Sequence, residues 1–173
     1  MNLILKVSLR YSIIAFFFIF LMFFISILID KNPVVYTSNI VFIGPLIAIF
    51  LFLAIKAFKQ LNQFGLRFWQ GFSVGMLYTI FFTILFASFL VIYANFFDEV
   101  YFDEYRQMIM EKLMAGKDML VENLGEDGYK EYLKSSESSN TRIIGSLSTN
   151  NIIIGMLVTP LVSLFMRTNE PKA

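Results

Sequence analysis

Apolar residues along this chain gather into four long intervals without a charge, Tyr11–Ile29, Asn32–Ile55, Phe68–Phe97 and Ile143–Met166. A hydrocarbon core of about 30 Å takes roughly 20 helical residues to cross. Each interval therefore predicts a transmembrane helix, with spans at about 11–29, 34–55, 70–97 and 143–166. Lys6 and Arg10 precede the first run as they would in a secretion signal, but that run is about 19 residues long, against 7–15 for a signal's apolar region. SILIDKNP follows it with no small-residue cleavage site, so a permanent helix is expected. Gly44-Pro45 in the second interval removes a backbone donor and predicts a kink or a late helix start near Ile43–Leu46. The fourth interval joins the polar RIIGSLSTNN to IIIGMLVTPLVSLFM, a clean apolar run of 15 residues in which Pro160 predicts a bend.

Between the third and fourth intervals the pattern changes. Tyr101, Tyr105, Met108, Ile109 and Leu113 recur at helical spacing, which predicts an amphipathic helix running to Gly116. A second short helix, about 118–124, is expected to stop at Gly125. A third turn, about 127–133, gives way to the polar linker SSESSN. The expected architecture is all-α: a membrane four-helix bundle from 1–97 and 143–173, with an acidic helical extracytoplasmic segment, 98–142, inserted in it.

Composition narrows the chemistry. A hydrophobic fraction of 57%, 21 Phe and a mean hydropathy of +0.68 exceed what the core of one soluble domain requires. Cys and His are both absent. Disulfides, thiolate or imidazole metal sites, Cys nucleophiles and His bases are thereby removed, leaving carboxylates, Lys, Tyr, Ser and Thr.

Charge predicts the orientation. Lys6 and Arg10, then Lys56, Lys59 and Arg67 in a 56–67 loop, then Arg167 and Lys172 make seven bases, against Glu170 alone. The alternate side holds Asp30 and Lys31, then eleven carboxylates against six bases over 98–142. Short cytoplasmic loops collect Lys and Arg, so both termini and the 56–67 loop are expected inside. Tyr11 and Trp69 would mark the inner interface, Tyr93 and Tyr101 the outer one. Lys56, Lys59 and Arg67 read first as topogenic charge. A role in binding anionic lipid headgroups is a second reading, although three bases fall short of the usual cluster of 4–8.

Several features together resemble a known family. They are a basic loop before FWQGFSVG, a long third span ending YANFFDE, a Met- and Glu-rich outer segment, and a Gly-bearing last span, with Gly71, Gly75 and Gly155 as the most particular positions. In these the chain is similar to the bacterial domain-of-unknown-function 4199 family, over nearly its whole length. Members often carry Pro in the acidic turn after the third span, where this chain has Phe97-Asp98-Glu99-Val100. The resemblance implies a small four-span membrane protein without assigned chemistry. Family members are often encoded near a glycosyltransferase that uses polyprenyl-phosphate sugars, which implies an association with lipid-linked glycan or other envelope assembly.

The candidate residues each have a plainer alternative. Asp98, Glu99, Asp103 and Glu104 offer the oxygens a hard cation requires; without EF-hand spacing they read first as solvated helix surface, and neither metal nor cofactor is expected. No charge falls inside the four intervals, which disfavours a gradient-driven pump. Asn95, Asn150 and Asn151, with Thr79, Thr83, Ser88, Ser146, Ser148 and Thr149, are expected to bond between helices more than to line a cleft. Gly71-x-x-x-Gly75 permits close helix approach, within the monomer or in assembly with another chain. The stripe Tyr101, Tyr105, Met108, Ile109 and Leu113 either docks a partner or folds back on Leu120–Leu133 as a hairpin. The expected function is a non-enzymatic accessory or scaffold subunit whose partners are the lipid bilayer and a membrane protein or second copy, with no nucleic acid. The alternative is a small carrier or flippase component for a lipid-linked substrate. An enzyme with a carboxylate site at the outer interface has the least support.

Overall fold

The computed structural model describes residues 2–96, 100–136 and 139–168, with the backbone alone at 132, 135 and 136. Among the described residues there are seven α-helices and no strand: α1 Leu3–Leu28, α2 Pro33–Ser38, α3 Ile40–Leu61, α4 Phe68–Phe96, α5 Val100–Ala115, α6 Lys117–Ser136 and α7 Asn140–Met166. α1, α3, α4 and α7 are each long and apolar enough to cross a membrane. The chain is an all-α, multi-pass membrane protein.

Helix boundaries follow local chemistry. The Asn2 side chain accepts from the Ile4 N–H and starts α1 ahead of Lys6 and Arg10, so the helix begins well before Tyr11. Asn32 caps α2 by accepting from the Val35 N–H, with Pro33 in the first helical position where its missing donor costs nothing. The interruption expected at Gly44-Pro45 lies instead at Asn39. That side chain accepts from the Val41 N–H, and its carbonyl accepts from Phe42 and Ile43. Pro45 then sits early in α3, where its ring frees only the Val41 carbonyl. At the far end α3 continues through Lys56 and Lys59 to Leu61, so the first half of the expected 56–67 loop is helix. The true turn contains Gln63 and Phe64, both at positive φ. α7 runs without interruption through Pro160. In the outer segment α5 ends before Gly116, and α6 consists of two helical pieces broken at Gly125, whose φ of 74° suits glycine.

α3 and α4 contact each other and both contact α1 and α7, so they form the diagonal of the bundle. Phe23 of α1 packs edge-on to Phe89 and Tyr93 of α4, at 5.0 and 4.8 Å between ring centres. Tyr93, expected at an interface, is therefore part of the core. Tyr78, Phe82 and Phe86 stack along one side of α4. Ser8 of α1 donates to the Val74 carbonyl of α4 at 2.9 Å, a buried bond between spans.

The most extensive interface is the antiparallel seam of α4 with α7. Gly71 faces Ser163, Gly75 faces Thr159 and Thr79 faces Gly155, a constant register in steps of four residues along both helices. The pairing is reciprocal at its centre, since a glycine of each helix receives a threonine of the other. A Cβ placed on Gly71, Gly75 or Gly155 would lie 3.2, 3.3 or 2.8 Å from the Cβ of the facing residue. Carbon atoms pack best at about 3.5–4.0 Å, so these helices lie as close as they do because the side chains are missing.

Candidate functional site

The polar groups that sequence reading singled out are distributed over three places: one end of the bundle, the α4–α7 seam, and the opposite end beneath α5. At the first end Lys59 Nζ donates to the Met166 carbonyl at 2.9 Å, placing a cation on the unsatisfied C-terminus of α7. Thr168 continues the clasp. Its N–H donates to the Leu66 carbonyl, its hydroxyl to the Phe64 carbonyl, and it accepts from the Leu66 N–H, at 2.9, 2.9 and 3.0 Å. Lys56 and Arg67 are exposed. Of the three bases, Lys59 thus also joins α3 to α7, through a neutral carbonyl that leaves its charge in place.

In the seam, Gly71 and Gly75 are both buried against α7 of the same chain. Asn151 is buried and Asn150 is exposed, so adjacent asparagines face opposite environments and only the first belongs to the packing face. The Thr79 hydroxyl donates to the Gly75 carbonyl one turn back, at 2.9 Å. Among the described residues, Tyr78 Oη, Thr83 Oγ1, Asn151 Nδ2, Thr159 Oγ1 and Ser163 Oγ are buried without a hydrogen-bond partner. Of these, Thr159 and Ser163 lie in the seam itself and make it polar inside.

The opposite end is built on Asn32. Its Oδ1 caps α2, and its Nδ2 donates to the Tyr101 carbonyl at 2.8 Å and to Glu104 Oε2 at 2.9 Å. Arg106 pairs with Asp103 and donates to Asn140 Oδ1 at 2.6 Å, reaching the start of α7. Phe102, which the periodicity did not single out, is fully buried. Tyr101 and Tyr105 pack against the bundle core. The Tyr105 phenol shares a hydrogen bond with Ser38 of α2; burial raises its pKa and the Ser38 bond works against that shift. Met108, Ile109 and Leu113 are half-buried. Tyr101 and Tyr105 of the stripe thus face their own chain, Tyr101 stacking on Tyr93 of α4 and Tyr105 reaching α2, while α5 also packs against α6.

Of the acidic cluster, Asp103 and Glu104 are engaged by Arg106 and Asn32, whereas Asp98 and Glu99 lie outside the described residues. Among the described residues no group of three or more acidic side chains gathers as a metal would need.

Four apolar spans, a seam of glycine and threonine, and a helical segment clasped over one end define a class: small multi-pass membrane proteins with an extramembrane helical insertion. The chain belongs to the family described as Protein of unknown function (DUF4199), whose profile matches residues 10–168. No curated protein and no solved structure matches it.

Proposed function

We propose that this protein is a non-enzymatic accessory or scaffold subunit of the bacterial cytoplasmic membrane, with both termini cytoplasmic and residues 98–142 outside. The observation that carries the reading is how α5 is held. Asn32 and Ser38 tie it to α2 and Asn140 ties it to α7, and α6 is displayed beyond it with Met119 and Leu124 exposed at 69% and 50%. A methionine-bearing apolar surface outside the membrane suits protein recognition. Affinity purification from native membranes tests it. The wild-type chain is expected to bring down a partner in fixed stoichiometry, and Met119→Ser with Leu124→Ser to lose it while the spans stay folded. Reproducible absence of any partner from the wild-type preparation contradicts the reading.

The orientation rests on the Lys/Arg asymmetry. The chain has no cysteine, so an impermeant thiol reagent on intact spheroplasts is expected to label Glu126→Cys and spare Gln63→Cys. The opposite labelling reverses the orientation. One observation favours the carrier reading as a second possibility: a recess of about 190 Å³ opens between α1, α2 and α3, lined by Phe18, Ile19, Met22, Thr37, Phe42 and Leu46 among others. Transport of a lipid-linked substrate by reconstituted protein would favour it over the subunit reading.

A further inference from the structure

On the other side of α2 from that recess lies a cleft of different character. It has a volume of about 250 Å³, and Ser38, Asn39, Ile40, Tyr105, Met108 and Lys112 line it together with Val35. It occupies the junction where α2 gives way to the membrane span α3, with α5 as its outer wall. The end of a membrane-crossing helix is where lipid headgroups would lie. Lys112 is the one charged residue among those lining it, and among the described residues Lys112 makes no ion pair. α5 also carries carboxylates: Asp103 is paired with Arg106, Glu104 accepts from the neutral Asn32, and Glu111, beside Lys112 in sequence, is exposed and does not line the cleft.

Three features of the cleft favour an anion. The Lys112 ammonium supplies charge. The Ser38 and Tyr105 hydroxyls, which bond each other, supply donors once that bond is exchanged for the ligand's; the Ser38 bond to the Val35 carbonyl is long, at 3.3 Å, so that hydroxyl is readily turned. The first turn of the 22-residue α3 begins at Ile40 and directs the positive end of its dipole toward the same space. Next to it, in the first turn of α3, Ile40, Val41 and Phe42 are exposed at 66%, 68% and 47%, an apolar surface of the kind acyl chains would cover. A ligand bound here meets cationic and hydroxylic groups on one side and acyl-compatible surface on the other.

We propose that this cleft binds the phosphate of an anionic phospholipid in the adjacent leaflet, with Lys112 as counter-ion, Tyr105 and Ser38 as donors, and the acyl chains lying along Ile40, Val41 and Phe42. The site does not depend on the subunit reading, because its ligand is lipid. Bound in this way, an anionic headgroup is drawn against α5 by Lys112 and helps to hold the insertion down.

Native mass spectrometry of the full chain in detergent, titrated with phosphatidylglycerol, tests the assignment. One bound lipid is expected for the wild type, with apparent affinity reduced about tenfold in Lys112→Gln, the factor expected for one charge-assisted hydrogen bond. Lys112→Arg is expected to keep the lipid, and Lys130→Gln, a charge change on α6, to leave it unaffected. Tyr105→Phe gives a smaller loss and serves where Lys112→Gln does not fold. Equal lipid retention by the wild type, Lys112→Gln and Tyr105→Phe overturns the site, as does failure of the wild type to retain any lipid. Displacement of the lipid by equimolar inorganic phosphate overturns the lipid as its source.

Discussion

The α4–α7 seam and the α5 clasp are both places where this chain holds itself together, and they do so by opposite means. The seam relies on the absence of side chains. Gly71, Gly75 and Gly155 let two spans approach until each glycine meets a Ser or Thr. In lipid there is no hydrophobic drive between helices, so close van der Waals contact of this kind supplies much of the association. The clasp, beyond the ends of the apolar spans, relies on side chains that reach: Asn32 to Tyr101 and Glu104, Arg106 to Asn140. Such bonds compete with water, and each contributes about 0.5–1.5 kcal/mol.

The largest effect is expected in the seam. Gly155→Ala places a methyl group within 2.8 Å of the Thr79 Cβ, and overpacking of this kind costs about 1–3 kcal/mol. Thermal unfolding in detergent should show a clear loss, with Gly71→Ala milder because its facing Ser163 is the smaller residue. Gly145→Ala, in the same helix with nothing within 4 Å of the new Cβ, should lose nothing. If Gly155→Ala and Gly145→Ala behave alike, close approach is not what holds α4 to α7.

At the clasp, Asn32→Ala removes the α2 cap and both bonds to α5 in one step. A cap contributes about 1 kcal/mol, and the sum falls on the insertion, not on the spans. Limited proteolysis is expected to cut within 100–136 faster in this variant while its thermal midpoint changes little. A large fall in the midpoint would mean that the two regions are one cooperative unit. The smallest effect should come from Lys59→Ala, which deprives the α7 C-terminus of its cation, a contribution of about 0.3–1 kcal/mol. Measured by thermal unfolding, that loss should shrink further at high salt.

Much of this arrangement was legible in the sequence, because hydropathy and length alone locate four spans, and Gly125 announces the break in α6. The errors have a common cause. Gly44-Pro45 drew attention as a helix breaker, while the stronger start signals were the asparagines: Asn32 directly before Pro33, and Asn39 before an uninterrupted apolar run. Reading them as caps would have placed α2 and the start of α3. Lys56 and Lys59 looked like loop residues because charge ends a hydrophobic window, yet a helix extends past the membrane edge as long as its backbone bonds are satisfied. What no periodicity reveals is partnership across the chain. That Asn32 bonds 69 and 72 residues ahead, or that Lys59 caps a helix ending 107 residues later, is a property of the packed bundle. The stripe on α5 illustrates the same limit, since an amphipathic face is equally suited to a foreign partner and to the protein's own α2.

That the seam joins spans of one molecule, leaving the outer segment as the surface for partners, is the claim on which this picture turns. It is tested most directly by Gly71→Cys combined with Ser163→Cys. The chain otherwise lacks cysteine, and a Cβ at position 71 lies 3.2 Å from that of residue 163, near the span a disulfide bridges. Oxidation in native membranes is expected to form a bond within one chain, so that a single protease cut in 100–136 leaves the two fragments joined until reductant is added. A covalent dimer in place of the internal crosslink, or no crosslink at all, would contradict the account.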